Sequence, residues 1–534
     1  MHRHKRDDFY VVGEGVHEGS ALRRPSTTEE IRRFRFTRLG PVGTVLDPDL
    51  CAKLARAMTA PEAVQQDARF GAGFTYLGQF VDHDLTMDRT ATALGDDVTL
   101  PELIQGRSPA LDLDSLYGRG PRFFEPDGVR LRMGRTAPAP GLDGLDGFDL
   151  PRRAASPDEP GNALIPDHRN DENLAVAQLH LAFIRFHNRV AEHLADAGVP
   201  GAYLLEKTRE MVVKHYQWML VTDHLPRIVN PDVVDEVFIN GRRYFEGQYQ
   251  GLLPGDSPTM PIEFSVAAYR VGHSMIRSGY EWNSVFNSNG TDPRRITDAT
   301  LDLLFSFSGT SGFVTAENPL PTNWVADFRR LFDFGEAGRD DLVVPPRDFN
   351  LARRIDTLLA DPLAALPAGS FGDPNAQVPE IHHNLAFRNL IRANMLKLAS
   401  GQQMAEFFGF RALTPDQIVD GNGGVVLADL TDDERASLIA ATPLWFYILR
   451  EAEFNNGLLD GVGARIVAEV FHRCIEGSRH SIVRDQSWRP ILGPDRHTFR
   501  MVDLLLYAFE GDVDLLNPVD AEPVASLRRR RRIG

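Results

Sequence analysis

Gly78-Gln79-Phe80-Val81-Asp82-His83-Asp84-Leu85-Thr86-Met87-Asp88 is the stretch on which the reading of this chain turns. It places an amide, a histidine and two carboxylates within six residues, inside a run from Gly73 to Asp84 whose apolar periodicity predicts a helix. On a helix, Gln79 and His83 are four apart and share a face, whereas Asp84 is turned from His83 by about 100°. One short segment therefore addresses two sites. Taken alone, His83 reads as a hydrogen-bonded structural histidine at a helix end.

Four further segments keep it company. Ser108 to Gly118 reads SPALDLDSLYG, in which Asp112 and Asp114 alternate with leucines in a stretch expected to be extended, so that both carboxylates point one way. With Ser108 and the Ala110 carbonyl nearby, these are hard oxygen ligands suited to Ca²⁺, although the spacing lacks the Gly and Glu of an EF-hand. A solvated face is the plainer reading of such a motif, and a distant carboxylate such as Asp84 would complete the ion's shell. Asp167 to Leu194 opens with Arg169 and Glu172 one helical turn apart, so the two can face one pocket; Glu172 also reads as a first-turn partner of the helix dipole. His180, His187 and Asn188 further along that helix read as packing groups.

Phe264 to Tyr280 sets Arg270 and His273 three apart on an expected helix from Val266 to Ile276, where Gly272 lets something large approach the backbone. A flat apolar macrocycle held by one imidazole needs such a wall, though a buried, satisfied histidine fits the same pattern. Asn384 to Ala405 presents Asn389 and Arg392, again three apart.

The rest of the chain sets bounds. With 534 residues, 43% hydrophobic and 25% charged, it has the composition of an ordinary globular protein. A formal charge of −16 argues against nucleic acid as a partner. Two cysteines, Cys51 and Cys474, supply neither a disulfide framework nor a metal-binding pair, and read as plain thiols. The start carries charges with no apolar run behind them, so no signal peptide is expected, and the location is cytoplasmic by default or export proceeds without a leader. The apolar run from Ala436 to Leu449 is broken by Pro443 and falls short of the roughly 20 residues that cross a bilayer.

Helices are also expected over Asp47–Met58, Asn173–Ala197 and Leu204–Leu225, and Thr431 with Glu434 forms a capping-box signature expected to start the helix containing LIAATPLWFYIL. Proline and glycine accumulate between residues 118 and 166, a long irregular crossing, and strand-like alternation is scarce. The expected organisation is an arm over 1–35, one mainly α unit over 36–525 and a basic tail over 526–534 carrying five arginines.

In this order and with these spacings, the five segments resemble the animal haem peroxidases of the peroxidase–cyclooxygenase superfamily, in the shorter form of bacterial members, from about Ala72 to Gln403. The resemblance implies a mainly α fold with haem b between a distal and a proximal set of helices. It implies that His83 is the distal histidine, with Gln79 helping to hold water or halide, and that Arg169 is the distal arginine. His273 matches the proximal ligand of the haem iron and Asn389 the residue that accepts a hydrogen bond from that imidazole. Arg392 and Arg270 match partners of the haem propionates, and Asp82 and Glu172 the carboxylates that become ester-linked to haem in mammalian members. Asp84, Ser108, Ala110 through its carbonyl, Asp112 and Asp114 match the calcium ligands.

The implied activity is reduction of hydrogen peroxide and oxidation of small donors or halides, including iodide, bromide, thiocyanate and phenols, through a ferryl intermediate. Asn173 stands where the strongest chloride-oxidising relative has a methionine bonded to the haem, so that link cannot form. One rival is a fatty-acid dioxygenase, whose radical-forming tyrosine lies three residues before the proximal histidine. Here that position is Arg270, and Tyr269, one residue off, is expected on another helical face. A second rival is a catalytically inert adhesion module.

Overall fold

The computed structural model describes residues 34–61, 65–90, 92–118, 121–139, 147–152, 163–247, 254–311, 313–366 and 377–520. All but two residues of the expected arm, and the whole basic tail, lie outside these. The main helices are α1 (Pro48–Met58), α2 (Gly73–Leu85), α3 (Leu174–Asp196), α4 (Gly201–Met219), α5 (Leu385–Met395), α6 (Leu444–Phe454), α7 (Gly461–Glu476) and α8 (Met501–Ala508). Strands among the described residues are two to five residues long and pair only in twos, as in Asp67–Gly71 antiparallel to Leu351–Arg353. The mainly α expectation holds.

Local signals explain where the helices begin. Asp47 caps α1 by accepting from the Asp49 amide at 2.7 Å, with Pro48 at the first helical position. Asn173 caps α3 by accepting from the Val176 amide at 3.0 Å. Helix α2 is fixed by packing at its start and in its middle. At its start Gly73 lies so close to the Phe332 ring that a Cβ there would come within 2.2 Å of it, which reserves the position for glycine. In its middle Phe80 stacks on Phe183 of α3 at 4.5 Å between centroids, and Tyr216 of α4 meets both rings edge-on. All three rings are buried, and each aromatic pair adds about 0.5–1.5 kcal/mol beyond area burial. This knot holds the helix that carries Gln79 and His83.

Elsewhere the structure corrects the sequence reading. The expected helix Val266–Ile276 is a π-turn, Phe264–Ala268, followed by a 3₁₀ segment, Arg270–Met275. The wide turn and then the tight one rotate every later side chain relative to a regular helix. The long helix after Leu204 starts earlier, at Gly201, and becomes a π-turn over Leu220–His224 before one last α turn, Leu225–Ile228. Thr431 and Glu434 do form a capping box, but the helix it starts ends at Ala440; the proline expected to interrupt the run instead precedes a separate helix, α6. The segment holding Asp112 and Asp114 is not extended. Leu113 adopts a left-handed conformation (φ 60°, ψ 43°) and Asp114 begins a short helix to Tyr117, so the two carboxylates do not alternate as on a strand.

His187 and Asn188 are packing groups as read: the imidazole bonds to Tyr117 Oη and the Val129 carbonyl, and the amide brackets the Leu131 backbone. Both cysteines are buried free thiols, and burial pushes Cys51 up to about 12. Among the described residues no helix is long and apolar enough to cross a membrane.

Candidate active site

A cavity of about 320 Å³ lies where α2 faces the 3₁₀ segment Arg270–Met275. Gln79, Asp82, His83, Arg169, Glu172, Arg270 and His273 all line it, so the fold brings together residues from three of the five sequence segments. Asn389 reaches the site through His273.

His83 is 5% exposed, and its Nδ1 lies 2.9 Å from Asn170 Oδ1. A carbonyl oxygen only accepts, so the ring proton sits on Nδ1 and Nε2 is left bare. Burial above all, and then the Arg169 charge, pushes the imidazole down to about 3, so it is neutral across the physiological range. Asn170 was not singled out in the sequence; its neighbour Arg169 was the only signal near it.

Arg169 is held from both sides. Its Nε and Nη2 donate to the two carboxylate oxygens of Asp167, at 3.1 and 2.8 Å, and Nη2 also donates to the carbonyls of His83 and Thr86. Asp167 is fully buried; burial alone would raise its carboxyl, but the Arg107 and Arg169 guanidiniums hold it well below the usual carboxylate range. Asp167 also accepts from the Arg169 amide, the Asx-turn of an Asp two residues upstream, and this was the sequence signal that could have found it. Arg169 and Glu172 are not on the long helix: Arg169 lies within a 3₁₀ turn, His168–Asp171, and Glu172 caps its end, and side chains three apart eclipse there, so they still share a side.

Glu172 Oε1 accepts from Gln79 Nε2 and lies 3.7 Å from His83 Nε2; Gln79 Oε1 in turn accepts from Asn173 Nδ2 at 3.1 Å. Asp82 accepts from Thr86 Oγ1 at 3.0 Å.

On the opposite wall, Asn389 Nδ2 lies 2.9 Å from His273 Nδ1. The amide therefore donates and the ring proton sits on Nε2, the reverse of the expected direction. Coordination through Nε2 calls for the other tautomer, with the proton on Nδ1 and the amide turned by half so that its oxygen accepts. Burial, then Arg270, pushes this imidazole down to about 3.

Arg270 donates to the Ser265 carbonyl at 2.9 Å and borders both this cavity and a neighbouring one of about 230 Å³. Arg392 lines only the neighbour and is ion-paired with Asp88, with Arg388 beside it. The expectation that Arg392 and Arg270 serve one group in the same way is thus modified: Arg270 spans the two spaces and Arg392 stands beyond, already partnered.

Tyr269 corrects a further expectation. Its phenol lies in the cavity wall, where its hydroxyl bonds to His224 Nε2 at 3.0 Å. Tyr269 precedes His273 by four residues, a spacing that lets the two share a side as Gln79 and His83 do.

The residues expected around calcium are gathered but differently bonded. Asp84, Asp112 and Asp114 are all buried, at 0, 7 and 4% exposure. Asp84 accepts from the backbone amides of Leu113 and Ser115, and Asp114 from that of Ser108. Arg107 Nη1 stands 3.7 Å from Asp114, and its Nε donates to Asp167. Among the described residues no group of three His, Cys, Asp or Glu side chains closes around one point as a metal site.

Whether the large cavity suits a haem is answered by its lining. Phe74, Val271, Ile276, Leu363 and Leu385 supply apolar walls, three neutral imidazoles (His83, His224 and His273) and two guanidiniums (Arg169 and Arg270) supply polar ones, and a Cβ built on Gly272 meets nothing within 4 Å, leaving space against the backbone. These residues fit a flat apolar macrocycle.

The family model described as animal haem peroxidase matches residues 101–307. Thyroid peroxidase of Homo sapiens is 27% identical over 196 residues, 32% of this chain and 19% of that protein. A peroxidase-like protein of Margaritifera margaritifera is 29% identical over 117 residues, 22% of this chain and 14% of that one. The match thus spans less than a fifth of either relative's length. Among solved structures, peroxidase A from Dictyostelium discoideum superposes with a TM-score of 0.58 at 14% identity, covering 92% of this chain and 95% of that one. A fatty acid alpha-dioxygenase of Arabidopsis thaliana gives 0.54 at 13%, covering 93% and 77%. At these identities the structural likeness speaks for the fold alone. Family model, relatives and fold point the same way: over residues 101–307 the chain is similar to the animal haem peroxidases, and its fold is similar to that of peroxidase A.

Proposed function

We propose that this chain is a haem peroxidase that reduces hydrogen peroxide and oxidises small donors, among them phenols, iodide, bromide and thiocyanate. The observation that carries the reading is one cavity lined by a histidine with a bare Nε2, an arginine clamped beside it and a second histidine on the facing wall. His273 would hold the iron through Nε2, Asn389 would accept from its Nδ1, and Arg270 with Arg392 would meet the propionates. The haem, when bound, supplies the redox chemistry toward peroxide.

The protein's part is proton handling and electrostatics. His83 Nε2 takes the proton of hydrogen peroxide and returns it to the departing oxygen. Arg169, fixed by Asp167, presents positive charge where negative charge develops on that oxygen. Apolar walls exclude water and strengthen both effects. Asn389 accepting from Nδ1–H would fix the His273 ring and raise its electron donation.

The reading extends to a Ca²⁺ held by oxygens of Asp84, Ser108, Ala110, Asp112 and Asp114, supported by three buried carboxylates in one loop and helix end. It extends also to ester links from Asp82 and Glu172, both of which line the cavity. A second reading, dioxygenation of a fatty acid, is favoured by one observation: Tyr269 lines the cavity. Titration with haem followed by a halide and phenol panel tests the first reading. Oxygen uptake with fatty acids in the parent, and its loss in Tyr269→Phe, tests the second.

A further inference from the structure

The wall that carries His273 and Asn389 is built from two elements far apart in sequence, the turn opening at Phe264 and helix α5, and a third segment, Phe36 to Leu46, is bonded to both. Phe36–Thr37 pairs in parallel with Met260–Pro261, just ahead of that turn. Glu263, fully buried immediately before the π-turn, accepts the Leu39 amide on Oε2 at 2.9 Å and the Gly40 amide on Oε1 at 3.0 Å. A carboxylate that takes two successive amides fixes the direction in which the segment leaves.

At α5 the grip is on the end of the helix. Arg38 donates to the carbonyls of Leu396 and Lys397 at 2.6 and 2.9 Å, and the Gly43 amide donates to the Lys397 carbonyl at 2.9 Å. Lys397 holds a left-handed backbone (φ 45°), which is costly for a residue with a side chain and persists where neighbours over-determine it. A Cβ on Gly43 would come within 1.9 Å of the Leu398 carbonyl oxygen, so glycine is what lets the segment lie against this turn. Asn394 brackets Leu46, accepting from its amide at 3.0 Å and donating to its carbonyl at 2.7 Å. Asn394 stands on the same helix as Asn389, whose amide nitrogen is 2.9 Å from His273 Nδ1.

We propose that Arg38 and Glu263 are positioning residues: the strap they fasten, residues 36–46, ties α5 to the turn that carries His273, so that the Asn389 amide stays within hydrogen-bonding reach of His273 Nδ1 whichever tautomer the imidazole takes. Turning that amide over exchanges its nitrogen for its oxygen and needs no movement of the helix, provided α5 cannot slide away. His273 then passes from the tautomer with Nδ1 bare to the one in which Nδ1 donates and Nε2 is free to bind a metal. In its bearing on haem this inference rests on the peroxidase reading; the strap itself belongs to the chain.

The test reads the ring nitrogens of His273 by ¹⁵N NMR in haem-free protein, assigned by their loss in His273→Ala. Arg38→Met keeps the bulk of a half-buried side chain and removes its donors, and it should move the His273 signals. In Glu263→Gln the new side-chain N–H meets a backbone N–H, donor against donor, and the signals should move the same way. Because the strap acts through Asn389, Arg38→Met added to Asn389→Ala should move them no further than Asn389→Ala alone, whereas a general loosening of the fold would. In haem-loaded protein, Asn389→Ala should weaken haem binding by about tenfold or more, the range for removing a group that orients a metal ligand, and Arg38→Met by about threefold. The iron–imidazole stretching frequency should fall in both.

Unmoved His273 signals in Arg38→Met and Glu263→Gln, or a double variant that moves them further than Asn389→Ala, overturn the proposal. Should Glu263→Gln not fold, Arg38→Met alone decides it. If the parent takes up no haem, the peroxidase reading falls, and the His273 signals of the haem-free protein still decide the strap.

Discussion

Replacing Asn170 by alanine removes the acceptor that fixes the tautomer of His83, and its cost can be worked from the structure. The bond is 2.9 Å long and the imidazole 5% exposed, so no water takes the lost partner's place without rearrangement. A hydrogen bond of this kind biases one arrangement by about 0.5–1.5 kcal/mol, a factor of roughly 2 to 12 in the population with Nε2 bare. A ring free to shift by about 1 Å loses on the order of 10²-fold more in rate. The expected result lies between these: peroxide consumption by the haem-loaded protein slows about 10- to 100-fold, at unchanged haem content. Stopped-flow absorbance measures it directly. Because Asn170 acts only through His83, the double variant Asn170→Ala/His83→Ala should be no slower than His83→Ala. A single variant within twofold of the parent, or a double variant that is slower still, would refute the reasoning.

Three further outcomes are expected. His273→Ala loses stable haem binding, because the proposed axial ligand is gone; an unchanged absorption spectrum and haem content would contradict that. Asp112→Asn with Asp114→Asn weakens calcium binding, lowers the melting temperature and slows the reaction with peroxide, with partial rescue by excess Ca²⁺; Arg107, which lies near Asp114 and bonds to Asp167, gives that loop a second route to Arg169 beside Asp84. Elemental analysis finding no calcium in the parent would sink this. Asp356 is 1% exposed, and burial above all pushes its carboxyl from 3.8 up to about 7. Between those values the folded chain keeps a proton that the unfolded chain has lost, so stability falls as pH rises, by up to about 1.4 kcal/mol per pH unit. Asp356→Asn, whose oxygen can still accept from Leu358, should flatten that slope in melting curves from pH 4 to 7; an identical slope would show that another group is responsible.

The parts of the fold and site that were legible in the sequence are those fixed by local chemistry. Asp47 with Pro48, and Asn173 before an apolar run, announce helix starts because their side chains satisfy amides two or three residues on. Gln79 and His83 were placed on one face because four residues make a turn, and the structure gives them one cavity. What failed was the assumption of regular geometry. The π-turn at Phe264–Ala268 arises in packing against distant segments, which no local pattern announces. Leu113 takes a left-handed conformation that no alternation of Leu and Asp foretells. Asn170 escaped notice because its partner His83 lies 87 positions away in sequence, and Asp167 because its local Asx-turn to Arg169 does not by itself disclose the buried ion pair with Arg107. Pairings across such distances are settled by tertiary packing, which a single sequence does not display.

The central claim is that His83 moves the proton of hydrogen peroxide over a haem held by His273. One measurement tests it most directly: the rate at which one equivalent of peroxide changes the haem absorption band, in the parent and in His83→Ala at equal haem content. The account predicts a fast reaction in the parent and one about 10²–10⁴-fold slower in the variant. Equal rates, or a parent that binds haem and does not react with peroxide, would contradict it.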